Sequence, residues 1–150
     1  MIEIARLDES RDLADIEQLE QASMPQPWSR KLLQDELRSA RAFNFGFWLD
    51  GRLVAQLFAQ RVLTELSILN ISVTPDNRRQ GHARKLLSEV LRQAQDVGVE
   101  IVFLEVRESN RAAIALYEGA GFRQTGVRNG YYSDTGENAL LFACRISEQK

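Results

Sequence analysis

Leu69-Asn70-Ile71-Ser72-Val73-Thr74-Pro75-Asp76-Asn77-Arg78-Arg79-Gln80-Gly81-His82-Ala83-Arg84-Lys85-Leu86-Leu87 passes in turn through three kinds of sequence. The first part is apolar and β-branched and predicts a strand that stops at Pro75. A polar loop with two arginines and a glycine follows. From Ala83 the apolar residues Leu86, Leu87, Val90, Leu91 and Ala94 recur at helical spacing, and Gly98 stands at the expected stop.

The start of a helix leaves its first backbone N–H groups without partners, and the helix dipole adds roughly half a positive charge there. Gly81 and Ala83 flank His82 with little side-chain bulk, and Arg78, Arg79 and Arg84 add positive charge. A ligand phosphate could therefore reach the main-chain amides, so the loop reads as a pyrophosphate cradle. Two familiar phosphate loops do not occur: neither Gly-x-x-x-x-Gly-Lys-Ser/Thr nor Gly-x-Gly-x-x-Gly is present. Taken alone, the loop also fits an ordinary basic helix start.

Downstream, Ile101-Val102-Phe103-Leu104-Glu105-Val106 is a nearly continuous apolar run of the kind buried on both faces. Strand, crossover helix and strand predict a parallel pair. Glu105 interrupts the run, and an ionised carboxylate there must be paired, reach water or have a raised pKa. Pairing with Arg107 at the rim is one reading and a functional carboxylate the other. Asn110 is placed to cap a further helix carrying Ala113, Ile114, Leu116, Tyr117 and Ala120 and ending at Gly121. Phe122 to Val127 and Ala139 to Ile146 read as the last strands, with Asn129-Gly130-Tyr131-Tyr132 and Asp134-Thr135-Gly136 between them.

Upstream, Phe43 to Leu49, the tight turn Asp50-Gly51, Arg52 to Leu63 and Leu66 to Val73 predict three antiparallel strands. Ile2 and Ile4 mark a short first strand. Leu13, Ile16 and Leu19 mark a first helix to about Ala22, preceded by cap residues at Asp8 to Ser10. Pro25 and Pro27 break it, and Ser29 caps a second helix with Leu32, Leu33 and Leu37 on one face. Trp28 reads as a hydrophobic staple over that helix or as a substrate contact.

With 150 residues the chain is expected to form one domain, 1–150, with a sizeable core. Hydrophobic residues make up 44% and charged residues 27%, and a net charge of −2 gives no general footprint for nucleic acid or a membrane surface. No apolar run approaches the roughly 20 residues that span a bilayer, and the N-terminus has no signal-peptide pattern, which points to the cytoplasm. One cysteine, Cys144, and one histidine, His82, do not make a usual zinc site, and no metal is expected.

Two motifs carry a resemblance. Arg78-x-x-Gly81-x-Ala83, after Ile71-Ser72-Val73, resembles the acyl-coenzyme A loop of the GCN5-related N-acetyltransferases. Leu104-Glu105-Val106-Arg107-x-x-Asn110-x-x-Ala113-Ile114-x-Leu116-Tyr117-x-x-x-Gly121-Phe122 is similar to the second signature of the same superfamily. Both lie in the expected order, and the resemblance covers nearly the whole chain. Pro27-Trp28-Ser29, Asn70-Ile71-x-Val73 and Tyr131-Tyr132 before an acidic, glycine-containing turn narrow it to the bacterial enzymes that acetylate the N-terminal alanine of a small-subunit ribosomal protein.

The resemblance implies an α/β fold with a mixed sheet. Antiparallel N-terminal strands and a parallel pair splayed at the acetyl-coenzyme A site would be flanked by about four helices. It implies Glu105 as catalytic base and Tyr117 as acid. Ile71, Ser72, Val73, Arg78, Arg79, Gln80, Gly81, His82, Ala83, Arg84 and Asn110 would hold acetyl-coenzyme A, and Trp28, Tyr131 and Tyr132 would border the acceptor. Apart from the resemblance, Tyr117 reads equally as a core tyrosine, Asn110 as a cap only, His82 as a loop residue touching ligand or solvent, and Tyr131 and Tyr132 as strand packing. Ala83 stands where many relatives have glycine, and Met24-Pro25-Gln26 departs from the usual residues before Pro27-Trp28. Transfer to a lysine side chain or a small amine, and a non-catalytic acyl-coenzyme A sensor, are the rival functions; a monomer is the working expectation.

Overall fold

The computed structural model describes residues 1–146. In chain order the elements are β1 (Ile2–Arg6), α1 (Glu9–Ser23), α2 (Arg30–Arg38), β2 (Phe45–Leu49), β3 (Arg52–Val62), β4 (Glu65–Val73), a 3-10 turn (Pro75–Asn77), α3 (His82–Asp96), β5 (Ile101–Arg107), α4 (Arg111–Gly119), β6 (Arg123–Arg128) and β7 (Ala139–Arg145). Three of the helices start where a side chain takes a free amide. Asp8 accepts from the Ser10 N–H, Ser29 from Leu32 and Asn110 from Ala113. Pro25 and Pro27 fall between α1 and α2, where no helical N–H is required of them. Asp50 and Gly51 both hold positive φ, 51° and 83°, as the tight turn between β2 and β3 demands.

The strands form one sheet in the order β1-β2-β3-β4-β5-β7-β6. All neighbours are antiparallel except β4 and β5, as the crossover through α3 predicts. The last strand, β7, lies between β5 and β6.

Each face of the sheet carries its own core. On one face Phe45, Phe47, Leu57, Leu66, Ile68, Val102 and Leu104 pack with Leu86, Leu87, Val90 and Ala94 of α3 and with Tyr117 of α4. On the other, Phe58 and Leu53 pack with Ile16 and Leu19 of α1, Leu33 of α2 and Trp28. Fully burying a side chain such as Phe45, Phe47 or Phe58 contributes about 1.5–3 kcal/mol each.

One irregularity shapes the centre of the molecule. Opposite β3, Phe58 pairs with Asn70 but Ala59 pairs with Ile68, so Leu69 is an extra residue, a bulge in β4. An extra residue inverts the alternation that follows. Leu66 and Ile68 before the bulge, and Ile71 and Val73 after it, pack on the α3 face, whereas Asn70 turns to α1. The bulge also ends the parallel pairing, which runs only from Glu65–Ile101 to Ile68–Leu104. Beyond it the two strands part.

Candidate functional site

From Asn70 to Val73, β4 is paired with β3 on one side and with no strand on the other among the described residues. From Glu105 to Arg107, β5 is paired with β7 alone. The result is a wedge-shaped gap in the middle of the sheet, bordered by an unpaired β4 edge.

The cradle lies beyond the end of β4. Gly81 takes φ 80° at the start of α3, and a Cβ placed there would meet nothing within 4 Å. Glycine is therefore needed for the left-handed backbone, and the space before it is open. The first backbone bond of the helix runs from Lys85 N–H to the Gly81 carbonyl. The amides of His82, Ala83 and Arg84 thus come before the helical ladder, and no side chain caps them, in contrast to α1, α2 and α4. An uncapped helix start with open space before it fits an anionic group, so the residues present fit the pyrophosphate of a coenzyme A.

The side chains expected around this cradle divide. The Arg78 guanidinium donates to the Ser23 carbonyl at 2.8 Å and to the Val73 carbonyl at 3.4 Å, which binds the loop to the C-terminus of α1, where a cation is favoured. The Arg84 guanidinium lies across Gly119 at the end of α4; a Cβ on that glycine would stand 2.8 Å from its Nη2. His82 is not the solvent- or ligand-facing loop side chain expected. Its ring is buried against Phe47, centroids 4.8 Å apart, and Nε2 lies 3.0 Å from Gln80 Oε1. Only its main chain is left to face a ligand.

Across the gap, Glu105 sits on β5 with Val102, Leu104 and Val106 turned the other way, into the core. Its side chain keeps 33% of its exposure and lies 3.6 Å from Arg128. The expected partner Arg107 instead grips Asp134 with two hydrogen bonds of 3.0 Å. Residues i and i+2 of a strand share a face but stand about 7 Å apart, and a β6 arginine comes closer. Tyr117 lies on the opposite face, packed at 5.8 Å against Phe122, and its burial pushes the phenol above its ordinary range. The carboxylate and the phenol therefore lie on opposite faces of the sheet.

Asn110 fills its cap role, its side-chain oxygen taking the Ala113 N–H at 3.1 Å. Trp28 is half-buried, edge-on to Phe58 of β3 at 5.4 Å and packed against the cluster that contains Leu33 of α2. Tyr131 and Tyr132 lie in the segment after β6 rather than in a strand. They form an edge pair at 5.1 Å, with the Arg107 guanidinium 4.0 Å over Tyr132.

Glu20 is the residue the sequence reading missed. Its carboxylate is fully buried, accepts the Asn70 amide at 3.0 and 3.2 Å, and accepts the Trp28 N–H at 3.0 Å. The signal was present: Glu20 falls four residues after Ile16 on the buried stripe of α1. Among the described residues no group of three or more His, Cys, Asp or Glu side chains is placed to hold a metal ion, and no helix is long and apolar enough to cross a membrane.

Comparison with known proteins places this geometry among relatives. Residues 13–122 match the Acetyltransferase (GNAT) family. The chain is 39% identical over 141 residues to the [Ribosomal protein bS18]-alanine N-acetyltransferase of Escherichia coli K12, covering 93% of this chain and 95% of that one. The crystal structure of the ribosomal-protein-S18-alanine N-acetyltransferase from Escherichia coli superposes with a TM-score of 0.92 at 38% identity, covering 97% of this chain and 94% of the other. Ard1 from Thermoplasma volcanium superposes with a TM-score of 0.87 at 26% identity, covering 96% and 97%.

Proposed function

The chain belongs to the acetyltransferase (GNAT) family, and from that premise we propose that it moves an acetyl group from acetyl-coenzyme A to the N-terminal α-amine of an alanine on a ribosomal protein. The relatives named for that acceptor, matched over nearly their whole length, support this choice of substrate and, with it, a reaction in the cytoplasm. The observation that carries the chemistry is the gap in the sheet. An amine approaching on the Glu105 side and an acyl group held on the α3 and α4 side can meet there without breaking a β-ladder.

Acetyl-coenzyme A supplies the activated acetyl group. The unpaired edge around Ile71, Ser72 and Val73, the loop from Arg78 to Arg84 through its main-chain amides, and Asn110 would hold it. Glu105 takes the proton of the acceptor ammonium, directly or through water. A free α-amine has a pKa of about 8, so a carboxylate open to water is a sufficient base near neutrality. Tyr117 keeps its proton over the whole working range because burial raises its pKa, and it offers that proton to the departing sulfur. Trp28, Tyr131 and Tyr132 border the acceptor.

The test is the intact mass of two peptides after incubation with the protein and acetyl-coenzyme A. One carries the bS18 N-terminus with a free alanine; the other is N-terminally blocked and holds an internal lysine. An acetyl increment on the first alone supports the reading. An increment on the second alone moves the assignment to lysine side chains, and no increment on either, with the coenzyme bound, moves it to a small amine or a sensor.

A further inference from the structure

The residues on either side of Gly81 are joined through their side chains. His82 Nε2 lies 3.0 Å from Gln80 Oε1, and Gln80 Nε2 donates to the Asp76 carbonyl at 3.4 Å. The second bond settles the sense of the first. An amide that gives its nitrogen to Asp76 turns its oxygen to the ring, and an amide oxygen only accepts, so His82 Nε2 carries the proton. The other ring nitrogen, Nδ1, is buried with no hydrogen-bond partner among the described residues. A proton placed there instead would leave a buried donor unmet and the Gln80 oxygen without its hydrogen.

The two partners are held in different ways. His82 is buried, its ring 4.8 Å from that of Phe47 in β2, so it is fixed to the sheet. Gln80 is exposed, and its neighbour Arg79 holds a left-handed φ of 63° without being glycine. Such a backbone persists where its surroundings over-determine it. Arg78 ties one end of this loop to Ser23 and Val73. At the other end stands Gly81, at φ 80°, the residue type with the widest backbone freedom. The bond from His82 to Gln80 spans that glycine, and a bond across a glycine removes conformations the glycine alone would sample.

We propose that His82 is a positioning residue for the coenzyme: its ring, anchored on Phe47, braces Gln80 across Gly81 and so preorganises the main-chain amides that receive the pyrophosphate. The side chain acts through Gln80 and not by touching the ligand. The inference deepens the acetyl-coenzyme A reading given above and rests on it for the identity of the anion. Preorganisation strengthens binding by removing an ordering cost that would otherwise fall at the moment of association. Its effect therefore lies on coenzyme binding and not on the chemical step.

The experiment measures the Kd of coenzyme A by calorimetry, and kcat and KM for acetyl transfer, in wild type, H82L, Q80A and the double variant, with thermal unfolding alongside. Leucine keeps an apolar group against Phe47 and removes the nitrogen that lacks a partner, so H82L is expected to melt no lower than wild type. Its Kd for coenzyme A and KM for acetyl-coenzyme A are expected to rise about fivefold, the weight of one neutral hydrogen bond, with kcat little changed. The double variant is expected to bind no worse than Q80A, because residues that act as one unit are not additive. An unchanged Kd in H82L, or a double variant in which the two losses multiply, would overturn the proposal. His82 is the only histidine in the chain, so the imidazole nitrogen NMR spectrum of the wild type tests the bond without any variant. Above neutral pH it should show a proton on Nε2 and a bare Nδ1; a proton on Nδ1, or one shared between the two nitrogens, would overturn the proposal as well. A wild type that fails to bind coenzyme A removes the reading of the cradle and this inference with it. A wild type that binds coenzyme A yet acetylates neither peptide counts against acetyl transfer alone, since the Kd comparison still decides the role of His82.

Discussion

Glu105 and Tyr117 differ in what surrounds them more than in their distance along the chain. The carboxylate is open to water beside Arg128, and the phenol is shut in the core. Glu105→Gln should lower kcat at neutral pH by about 10²–10⁴-fold with KM for acetyl-coenzyme A little changed. The deficit should shrink above pH 8 or so, where the acceptor amine loses its proton unaided; a deficit constant with pH would remove Glu105 as the base. Tyr117→Phe should lower turnover and also change the pH dependence of stability. The folded-state pKa of Tyr117 lies above its unfolded value of about 10. The unfolded chain therefore releases this proton first, and stability falls as pH rises above that value. Melting temperatures between pH 9 and 11 should drop more steeply for the wild type than for the phenylalanine variant. Glu105 was legible because a charge broke an apolar run. Its partner was not, because Arg128 is brought near by the pairing of β6 with β7, which no local spacing encodes.

The helix starts were the most readable features at the level of elements. Ser29, Asn110 and the turn at Asp8 each announce a cap, and the structure uses each. The start of α3 is recognisable for the opposite reason, a glycine where a cap would stand. Gly81→Ala would force a Cβ into a left-handed backbone at a cost of about 1–2 kcal/mol. We expect a raised KM for acetyl-coenzyme A with kcat for bound substrates less affected; an unaltered KM would show that the amides of α3 do not hold the pyrophosphate. The bulge at Leu69 left no such mark. The run from Leu66 to Val73 reads as an uninterrupted strand, and an inserted residue is visible only against the register of β3. Yet it is this residue that separates β4 from β5 and turns Asn70 toward Glu20.

For the whole molecule, the mixed sheet, the crossover through α3 and the helices followed from the order of apolar patterns. The place of β7 between β5 and β6 did not, since two closing strands can pair with a sheet in either order and periodicity is the same in both. A ligand that binds the folded chain alone stabilises it by about 2.7 kcal/mol at a hundred times its Kd. Acetyl-coenzyme A at such a concentration should therefore raise the melting temperature, and the rise should be smaller for Gly81→Ala. Equal shifts in both proteins would place the coenzyme elsewhere.

The position of β7 also bears on the chain while it is still being synthesised. While the chain is being made, β1 to β5 can pair in the sequence in which they emerge, but the Glu105–Arg107 part of β5 has no neighbour until residues 139–145 arrive. Its open edge is then available to any other extended chain nearby. A nascent chain halted before β7 would hold a nearly complete coenzyme cradle beside a half-built acceptor wall. The acceptor wall is thus completed by the strand that comes last among the described residues, seated between two that precede it in the chain.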